Sequence, residues 1–336
     1  MQINSSLKIY FAPLQESTDH IYRSAHAKYF GCIDKYFAPY ILLQNDGTIK
    51  NSHLRDMNPD NNLGVQLIPQ ILAGNSHDFN VLAGLLQENG YHEINWNLGC
   101  PYPMVTNKGL GSGLLPYPDR IRAILEASLP GFQGKLSVKL RSGLQSSDDI
   151  FQVIDVLNDF PLHEVILHPR VAKQLYKGVP DEEIFAEVSR RIKHPLVYNG
   201  DLTSVEDFSR LKNLFNSTES WMIGRGILKN PFLPNLLRNG RLPNKAEKEE
   251  TLKNFHAEIF LNYSKILNGS SHLLMKMEKF WSYFCFAFPD PHKTFKRIKK
   301  AANIAKYELA VNENFSQLRS TEQYIQSDRV QDLKEF

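Results

Sequence analysis

Eight short apolar stretches recur along the first two thirds of the chain, and each is followed by a turn and a segment with helical character. They cover residues 8–13, 32–40, 65–69, 93–99, 135–141, 164–170, 195–201 and 220–226. Most of them start about 25–35 residues apart, which suits a strand with its returning helix. The stretches are almost continuously apolar, as is typical of parallel strands that are covered on both faces.

Short polar sequences between these stretches predict where helices begin. Residues 76–79 open one helix, and residues 180–183 open another, with Pro180 in its first turn and acidic residues close behind. Residues 203–206 form a predicted capping box, led by Thr203.

The number of these units indicates the fold class. Eight strand–helix units within about 220 residues predict an α/β fold, a (β/α)8 TIM barrel. The alternative is a doubly wound sheet, which usually has fewer strands and a GxGxxG turn after the first one. Here the first strand is followed by Ala12-Pro-Leu-Gln15, without a glycine, so we favour the barrel.

Beyond residue 241 the composition changes to helix-forming residues, with one proline-rich break at residues 289–291. We therefore predict a barrel at residues 1–240 and a smaller helical bundle at residues 245–336. Its polar end, from residue 308 onwards, is expected to be frayed or loosely attached.

The charge of the whole chain is nearly balanced, with 39 basic and 36 acidic residues and a net charge of +3. A polyanionic partner would therefore meet only local clusters of charge. One such cluster lies within residues 272–306, where eight Lys or Arg accompany two acidic residues. The aromatic residues interleaved there either contact a partner or form the core of the bundle; they are Phe280, Trp281, Tyr283 and Phe295.

The three cysteines are far apart in the sequence, which excludes a disulfide framework and a CxxC site and fits a reducing compartment. Residues 1–7 contain no signal peptide, and the longest apolar run, residues 280–288, is too short to span a bilayer. We therefore expect a cytoplasmic protein. The small net charge and the lack of heptads leave a monomer as the default.

Polar side chains recur where the predicted strands end. Because the carboxyl ends of barrel strands meet at the face where barrel enzymes have their active sites, we predict that these residues form one site. They are Pro13, Leu14, Gln15, Gln66, Asn97, Cys100, Lys139, Arg141, His168, Arg170, Asn199, Gly200, Asp201, Gly224 and Arg225.

The last two strands are followed by Asn199-Gly-Asp201 and Gly224-Arg-Gly226. The corresponding loops form a phosphate pocket in many barrels. Glycine lets backbone N–H groups approach an anion, and Arg225 can bind phosphate with two parallel hydrogen bonds. The alternative is two tight turns with a surface arginine.

Cys100 lies just past the fourth strand and before a glycine-rich stretch at residues 108–113. This setting favours an exposed, mobile loop that carries a nucleophile or proton donor, over the buried thiol that is the commoner fate of a free cysteine. The glycine pattern does not lie directly between a strand and a helix, so we do not interpret it as a dinucleotide fingerprint.

Lys139 and Arg141 point the same way from one strand. A lysine that faces the mouth of a barrel needs an anionic or electron-rich partner, because an unpaired buried ammonium is costly. The alternative is a side chain that reaches past the rim into water. No pattern of metal ligands converges on this face, so no metal is predicted.

These motifs resemble the bacterial, FMN-dependent tRNA-dihydrouridine synthase family. The most specific of them is Asn97-Leu-Gly-Cys-Pro101 followed by Lys108-Gly-Leu-Gly-Ser112, and the resemblance covers roughly residues 8–310. The other matching segments are residues 12–19, 65–67, 138–143, 168–170, 199–201 and 222–226. The helical C-terminal region is similar to the RNA-binding bundle of the family.

The resemblance implies an enzyme that holds FMN at the barrel mouth and reduces it with NADPH or NADH. It passes a hydride to C6 of a uridine in tRNA, and a cysteine gives a proton to C5. By matching motifs, Cys100 would be the general acid. Pro13, Leu14 and Gln15 would line the flavin ring, Gln66 and Lys139 would bind its polar edge, His168, Asn199, Gly200, Asp201, Gly224 and Arg225 would hold the phosphate, and Asn97, Arg141 and Lys108 would contact the substrate.

The sequence departs from the family pattern at two places. Leu14 replaces a usual methionine, and residues 102–106 replace a segment that is often basic. Two other functions stay open: a flavin barrel that reduces a free pyrimidine or enone, and an RNA-binding protein that has lost catalysis.

Overall fold

The structure is a computed structural model that describes residues 7–320. Its parallel strands form one sheet in which chain neighbours are mostly spatial neighbours. The strands are β1 (Lys8–Phe11), β2 (Lys35–Phe37), β3 (Leu67–Ile68), β4 (Gln70–Ile71), β5 (Glu93–Leu98), β6 (Lys135–Gly143), β7 (Glu164–Val171), β8 (Leu196–Asn199) and β9 (Ser220–Ile223).

The two ends of this sheet meet at a single extended segment, residues 67–71. Its first half, β3, pairs with β2, and its second half, β4, pairs with β5. Pro69 separates the halves because it has no N–H to donate to a ladder, although its carbonyl accepts from the N–H of Asn95 at 2.9 Å. Counting residues 67–71 as one strand gives eight, which confirms the predicted barrel.

Helices follow most of the strands, and four more helices complete the described chain. They are α1 (His20–Tyr29), α2 (Asn51–Met57), α3 (Ser76–Glu88), α4 (Pro103–Thr106), α5 (Pro118–Ser128), α6 (Asp149–Leu157), α7 (Glu182–Arg191), α8 (Val205–Leu214), α9 (Arg225–Lys229), α10 (Leu233–Asn239), α11 (Lys245–Ile266), α12 (Ser270–Phe284), α13 (Pro291–Lys299) and α14 (Ile304–Ser320).

Two predicted helix starts are displaced by one or two residues. The capping box of α8 pairs Ser204 with Asp207, not Thr203 with the glutamate that follows it, because the Ser204 hydroxyl accepts from the Asp207 N–H. The N-cap of α7 is Asp181, so Pro180 lies before the helix and not in its first turn.

Alternation along the strands separates two hydrophobic layers. On β5, Ile94, Trp96 and Leu98 belong to the large core between the barrel and its helices. Side chains of the opposite parity face the barrel axis. The apolar ones form a small inner cluster of Tyr10, Ala12, Phe37, Ile68, Ile166, Val197 and Met222, which fills the middle of the barrel.

The amino end of the barrel contains a paired charge cluster. The Lys35 ammonium lies 2.6 Å from Glu93 and 3.1 Å from Glu164, and the Tyr10 hydroxyl donates to Glu164 at 3.0 Å. Glu93, Glu164 and His163 are spaced closely enough to suit a metal ion, but the lysine already supplies a cation to both carboxylates. The expectation that the protein binds no metal stays a prediction.

The helices α11–α14 form a bundle whose core is continuous with that of the barrel. The predicted division of the chain at residues 240–245 therefore stays a prediction. The expected loose end is wrong for residues 308–320, because α14 buries Val311 and Phe315 against the bundle. Residues 321–336 lie outside the described part of the chain. No described helix is long and apolar enough to cross a membrane.

Hydrogen bonds tie the bundle to the loop that follows β1. The Tyr263 hydroxyl lies 2.8 and 2.9 Å from the two carboxylate oxygens of Asp19. The Lys276 ammonium lies 2.9 Å from Asp19 and donates to the Glu16 carbonyl at 2.6 Å. The bundle thus fixes the loop that begins with Pro13.

Two buried histidines make the stability of the fold depend on pH. Burial lowers the pKa of His26 and of His256 from 6.5 to about 3. Both rings stay neutral in the folded protein, whereas in the unfolded chain they take up protons below a pKa of about 6.5. The two histidines should therefore leave the free energy of unfolding unchanged above that pH. Below it, the free energy of unfolding should fall as the pH drops.

We expect His256→Gln to reduce this pH dependence between pH 6.5 and 5 by up to about 1.4 kcal/mol per pH unit, because one titrating group is removed. The measurement is urea unfolding at several pH values, with the exposed His77→Gln as the control. An unchanged slope in His256→Gln would contradict the account.

Candidate active site

The carboxyl ends of the barrel strands surround a cleft. Its lining includes most of the predicted cofactor residues and contains no residue from the amino end of the barrel. The lining residues are Ala12, Pro13, Leu14, Lys139, His168, Tyr176, Asn199, Gly200, Asp201, Leu202, Thr203, Gly224, Arg225 and Gly226. Nine of the residues that the sequence analysis selected thus come together.

Lys139 brings a charge without a partner into this cleft. It projects from β6 two residues before Arg141, and no described residue forms a hydrogen bond or ion pair with its ammonium. Burial and then the charge of Arg141 lower the pKa of Lys139 to about 7. A group that supplies electron density or negative charge would restore the ammonium form.

Two arginines share one carboxylate at the loop that follows β8. Asp201 accepts from Arg170 at 2.8 Å and from Arg225 at 2.8 Å, and a second Arg170 nitrogen also bonds it. Burial opposes ionisation of Asp201, but the hydrogen bonds and charge of Arg170, with the charge of Arg225, hold its pKa below the usual range. An ionised carboxylate has no proton to donate to phosphate. The carboxylate of Asp201 orients the two arginines, and the place of Asp201 in a phosphate-holding loop stays a prediction.

His168 lies between these charges and is nearly fully buried. Burial, followed by the charges of Arg141 and Lys139, holds the pKa of His168 well below its usual value, so the ring is neutral at neutral pH. Its Nε2 lies 3.4 Å from a nitrogen of Arg170, which can only donate. The neutral ring is therefore assigned its proton on Nδ1.

The cleft has more positive than negative charge. Lys139 and Arg141 have no carboxylate partner among the described residues, and Arg170 and Arg225 share Asp201. Two further observations favour a ligand with an apolar part. The segments that follow β1 and β9 line the cleft with apolar residues or glycine, and the Arg225 guanidinium lies over the Tyr176 ring at 4.5 Å. The arrangement suits a molecule that combines an apolar ring system with an anionic group.

Cys100 packs beside this cleft, on the loop after β5. It is 7% exposed and lies in a small cluster with Leu72 and Val105. The predicted exposed, mobile loop is wrong at this position. The glycines serve close packing, because a Cβ on Gly111 would lie 2.9 Å from both the Cβ and the carbonyl oxygen of Cys100.

Asn97 fixes this loop from below. Its side-chain oxygen accepts from the N–H groups of Gly99 at 2.9 Å and of Cys100 at 2.8 Å. Its amide nitrogen donates to Gln70 at 2.6 Å, and Gln70 donates to Asn95 at 2.6 Å. Asn97 therefore positions Cys100, and its predicted contact with the substrate stays a prediction.

The comparison with known families decides what this arrangement belongs to. A family model described as dihydrouridine synthase matches residues 10–326. The chain belongs to the dihydrouridine synthase family. The resemblance inferred from the sequence is thereby confirmed.

Curated relatives carry related names. The tRNA-dihydrouridine(16) synthase of Vibrio parahaemolyticus is 25% identical over 253 residues, which cover 73% of this chain and 76% of that protein. The probable tRNA-dihydrouridine synthase of Helicobacter pylori is 31% identical over 166 residues, which cover 48% of this chain and 50% of that protein.

Solved structures with the same fold are more distant. The old yellow enzyme homologue of Zymomonas mobilis has a TM-score of 0.51 at 11% identity and covers 70% of this chain and 89% of its own. Histamine dehydrogenase from Rhizobium sp. 4-9 has a TM-score of 0.52 at 10% identity and covers 75% and 49%. At these identities the likeness supports the barrel fold alone.

Besides Asn97, Cys100 and Arg170, four residues selected from the sequence lie outside the lining of the cleft of this dihydrouridine synthase family member. Gln66 is exposed at the amino end of the barrel, where it lines a groove with Glu93 and Lys135, so its predicted place beside Lys139 is wrong. Gln15 and Lys108 are exposed and do not line the cleft. Arg141 is 2% exposed and bonds the Val171 carbonyl, and its predicted contact with the substrate stays a prediction.

Sequence reasoning gave no role to four residues that build the site. Gln70 was missed because the predicted third strand ended at Pro69, one residue too early. Arg170 lies in the matching segment 168–170, but nothing in the local sequence indicates that it pairs with Asp201. Tyr176 and Tyr40 lie in loops without a motif.

We expect Gly111→Ala to lower the free energy of unfolding by about 2–4 kcal/mol, because it combines a left-handed backbone with overpacking against Cys100. The matched control is Gly109→Ala, whose φ is also positive at 68° but whose Cβ would meet only the guanidinium of Arg120 at 3.2 Å. This variant should lose about 1–2 kcal/mol. Equal losses in urea unfolding would show that the contact with Cys100 is not tight.

Proposed function

We propose that the protein is a flavin-dependent tRNA-dihydrouridine synthase, an oxidoreductase that reduces specific uridines of tRNA to 5,6-dihydrouridine. Family membership supports the reaction class, and the relatives named tRNA-dihydrouridine synthase support tRNA as the substrate. The observation that carries the proposal is the Lys139 ammonium, which has no partner among the described residues, in a cleft that Arg225 also lines.

These residues fit FMN. Arg225, with the backbone of Gly200 and Gly224, would hold the phosphate, since these groups follow β8 and β9 and the charge of Arg225 is already oriented by Asp201. Leu14 and Pro13 would pack against the ring, and Leu preserves the volume of the methionine usual in the family. When bound, FMN supplies hydride transfer, and NADPH or NADH is the proposed reductant.

Lys139 would bond the polar edge of the ring. A fixed ammonium stabilises negative charge that develops there on reduction. His168, being neutral, can donate from Nδ1 within the same cleft. The Asn199 amide donates to the Met222 carbonyl at 2.9 Å, so it joins the last two strands below the phosphate position and is a positioning residue.

Cys100 is the proposed proton donor to C5 of the uracil. Burial raises the pKa of its thiol, and the charges of Arg141 and Lys139 oppose that rise only in part. The thiol therefore carries its proton at neutral pH, as a general acid must.

The helical bundle would bind the phosphates of the tRNA. Of the aromatic residues in the basic stretch, Phe280, Trp281 and Phe295 are buried, so they form the core and do not stack on bases. The cations Lys279, Lys293, Lys296, Lys299, Lys300 and Lys306 are exposed. Contacts from such cations give affinity that weakens steeply with salt. The monomeric state and the cytoplasmic location stay predictions.

We expect Cys100→Ala to bind FMN and to oxidise NADPH like the wild type, while dihydrouridine formation falls by about 100-fold or more, because only the proton donor is lost. The measurement is dihydrouridine in tRNA that lacks the modification, by mass spectrometry. Cys32→Ala is the control and should be fully active, because Cys32 does not line the cleft. Full activity of Cys100→Ala would remove Cys100 from the reaction, and turnover on free uracil without tRNA affinity would contradict the proposed substrate.

The pKa of about 7 for Lys139 gives a second test. Since FMN would raise that pKa, binding takes up a proton, and the affinity for FMN should fall by up to about tenfold per pH unit above pH 7. In this window the phosphate of FMN is already fully ionised. We expect Lys139→Met to bind weakly at every pH and Lys139→Arg to bind without pH dependence. A pH dependence that survives in Lys139→Met would assign it to another group.

A further inference from the structure

The sulfur of Cys100 has one polar side chain beside it. The Tyr40 hydroxyl lies 3.8 Å from Sγ, within hydrogen-bond range for sulfur, and no other described side chain bonds the thiol. The backbone N–H of Tyr102 also faces it. The thiol packs in an apolar cluster with Leu72, Val105, Leu42 and Leu110, and the charges of Arg141 and Lys139 act on it from the cleft.

The backbone holds Tyr40 at this place. The next residue, Ile41, donates its N–H to the Gln70 carbonyl at 2.8 Å and accepts from the Leu72 N–H at 2.9 Å. Gln70 also bonds Asn97, which fixes the N–H of Cys100. The hydroxyl and the thiol are thus attached to the same short segment of the barrel wall, so their contact is built into the fold.

While both groups are protonated, the thiol donates to the Tyr40 oxygen, and the direction can reverse once the thiol has lost its proton. Burial, and after it the charge of Cys100, raises the pKa of Tyr40, so its hydroxyl keeps its proton. A thiolate in an apolar cluster is shielded from water, so it needs a hydrogen-bond donor nearby to stabilise its charge. The Tyr40 O–H is that donor.

We propose that Tyr40 is a positioning residue for the reaction: its hydroxyl stabilises the Cys100 thiolate that is left when the thiol protonates the substrate. This inference rests on the proposed function, in which Cys100 is the acid. The S–H bond breaks as the C5–H bond forms, the hydride at C6 comes from the reduced flavin, and the thiolate regains its proton from solvent. Tyr40 keeps its own proton throughout.

The first test measures the acidity of Cys100 without any tRNA. In the FMN-loaded protein, the rate of alkylation of Cys100 by iodoacetamide is followed peptide by peptide from pH 7 to 9. Since a hydrogen bond to a charged group is strong, Tyr40→Phe should slow alkylation about 10- to 100-fold at each pH. Cys32 in the same sample is the internal control and should be unaffected. A loosened structure would instead speed alkylation of Cys100.

The second test measures the reaction itself. In single turnovers with tRNA that lacks dihydrouridine, Tyr40→Phe should slow the oxidation of the reduced flavin about 10- to 100-fold, while reduction by NADPH is unchanged. The matched control is Tyr91→Phe, which loses a hydrogen bond to the Met57 carbonyl at the other end of the barrel and should behave as the wild type.

The outcomes separate the two proposals. Wild-type protein that makes no dihydrouridine would refute the proposed function, whatever the alkylation shows. A Tyr40→Phe variant whose Cys100 is alkylated as fast as in the wild type, or faster, would overturn the role of Tyr40. An unchanged single-turnover rate in an active enzyme would overturn it as well.

Discussion

Uncompensated positive charge at the carboxyl end of the barrel is the constraint on which the site depends. Lys139 has no partner among the described residues, Arg141 adds positive charge beside it, and Arg170 and Arg225 share the carboxylate of Asp201. Cations that are held away from water without a partner destabilise a fold. A bound anion with an electron-rich ring would complete the arrangement, so the same feature that is costly in the free protein favours the ligand.

The opposite end of the barrel shows what a purely structural cluster looks like. There Lys35 lies between Glu93 and Glu164, and its charge is matched within the protein. The two ends are joined by the same strands, and alternation along each strand supplies inward-facing residues to both. Lys35 has carboxylate partners at the amino end, whereas Lys139 has none among the described residues at the carboxyl end. This difference distinguishes the end that we propose to bind a ligand from the structural one.

Much of the fold and part of the site follow from local sequence. The apolar stretches predict the strands, because parallel strands buried on both faces leave a clear pattern. The same pattern places Lys139, His168 and Arg225 at one end of the barrel. The exception in the fold is the third strand. Its predicted end is Pro69, so the prediction missed the continuation to Gln70 and selected Gln66.

The remaining features depend on contacts between distant positions. Arg170 and Asp201 are 31 residues apart, and Tyr40 and Cys100 are 60 residues apart, so no spacing rule links them. The burial of Cys100 depends on the approach of Gly111, which the sequence suggested as a hinge. Tertiary packing decides such cases: a glycine that permits motion and a glycine that permits contact have the same sequence signature.

The most direct test of the central claim is the affinity of the purified protein for FMN compared with riboflavin, which lacks the phosphate. If the positive charge is there to hold a phosphorylated flavin, FMN should bind at least about 100-fold more tightly, since two or more charge-assisted hydrogen bonds are lost with the phosphate. Equal affinities for the two flavins, or no binding of either, would contradict the account.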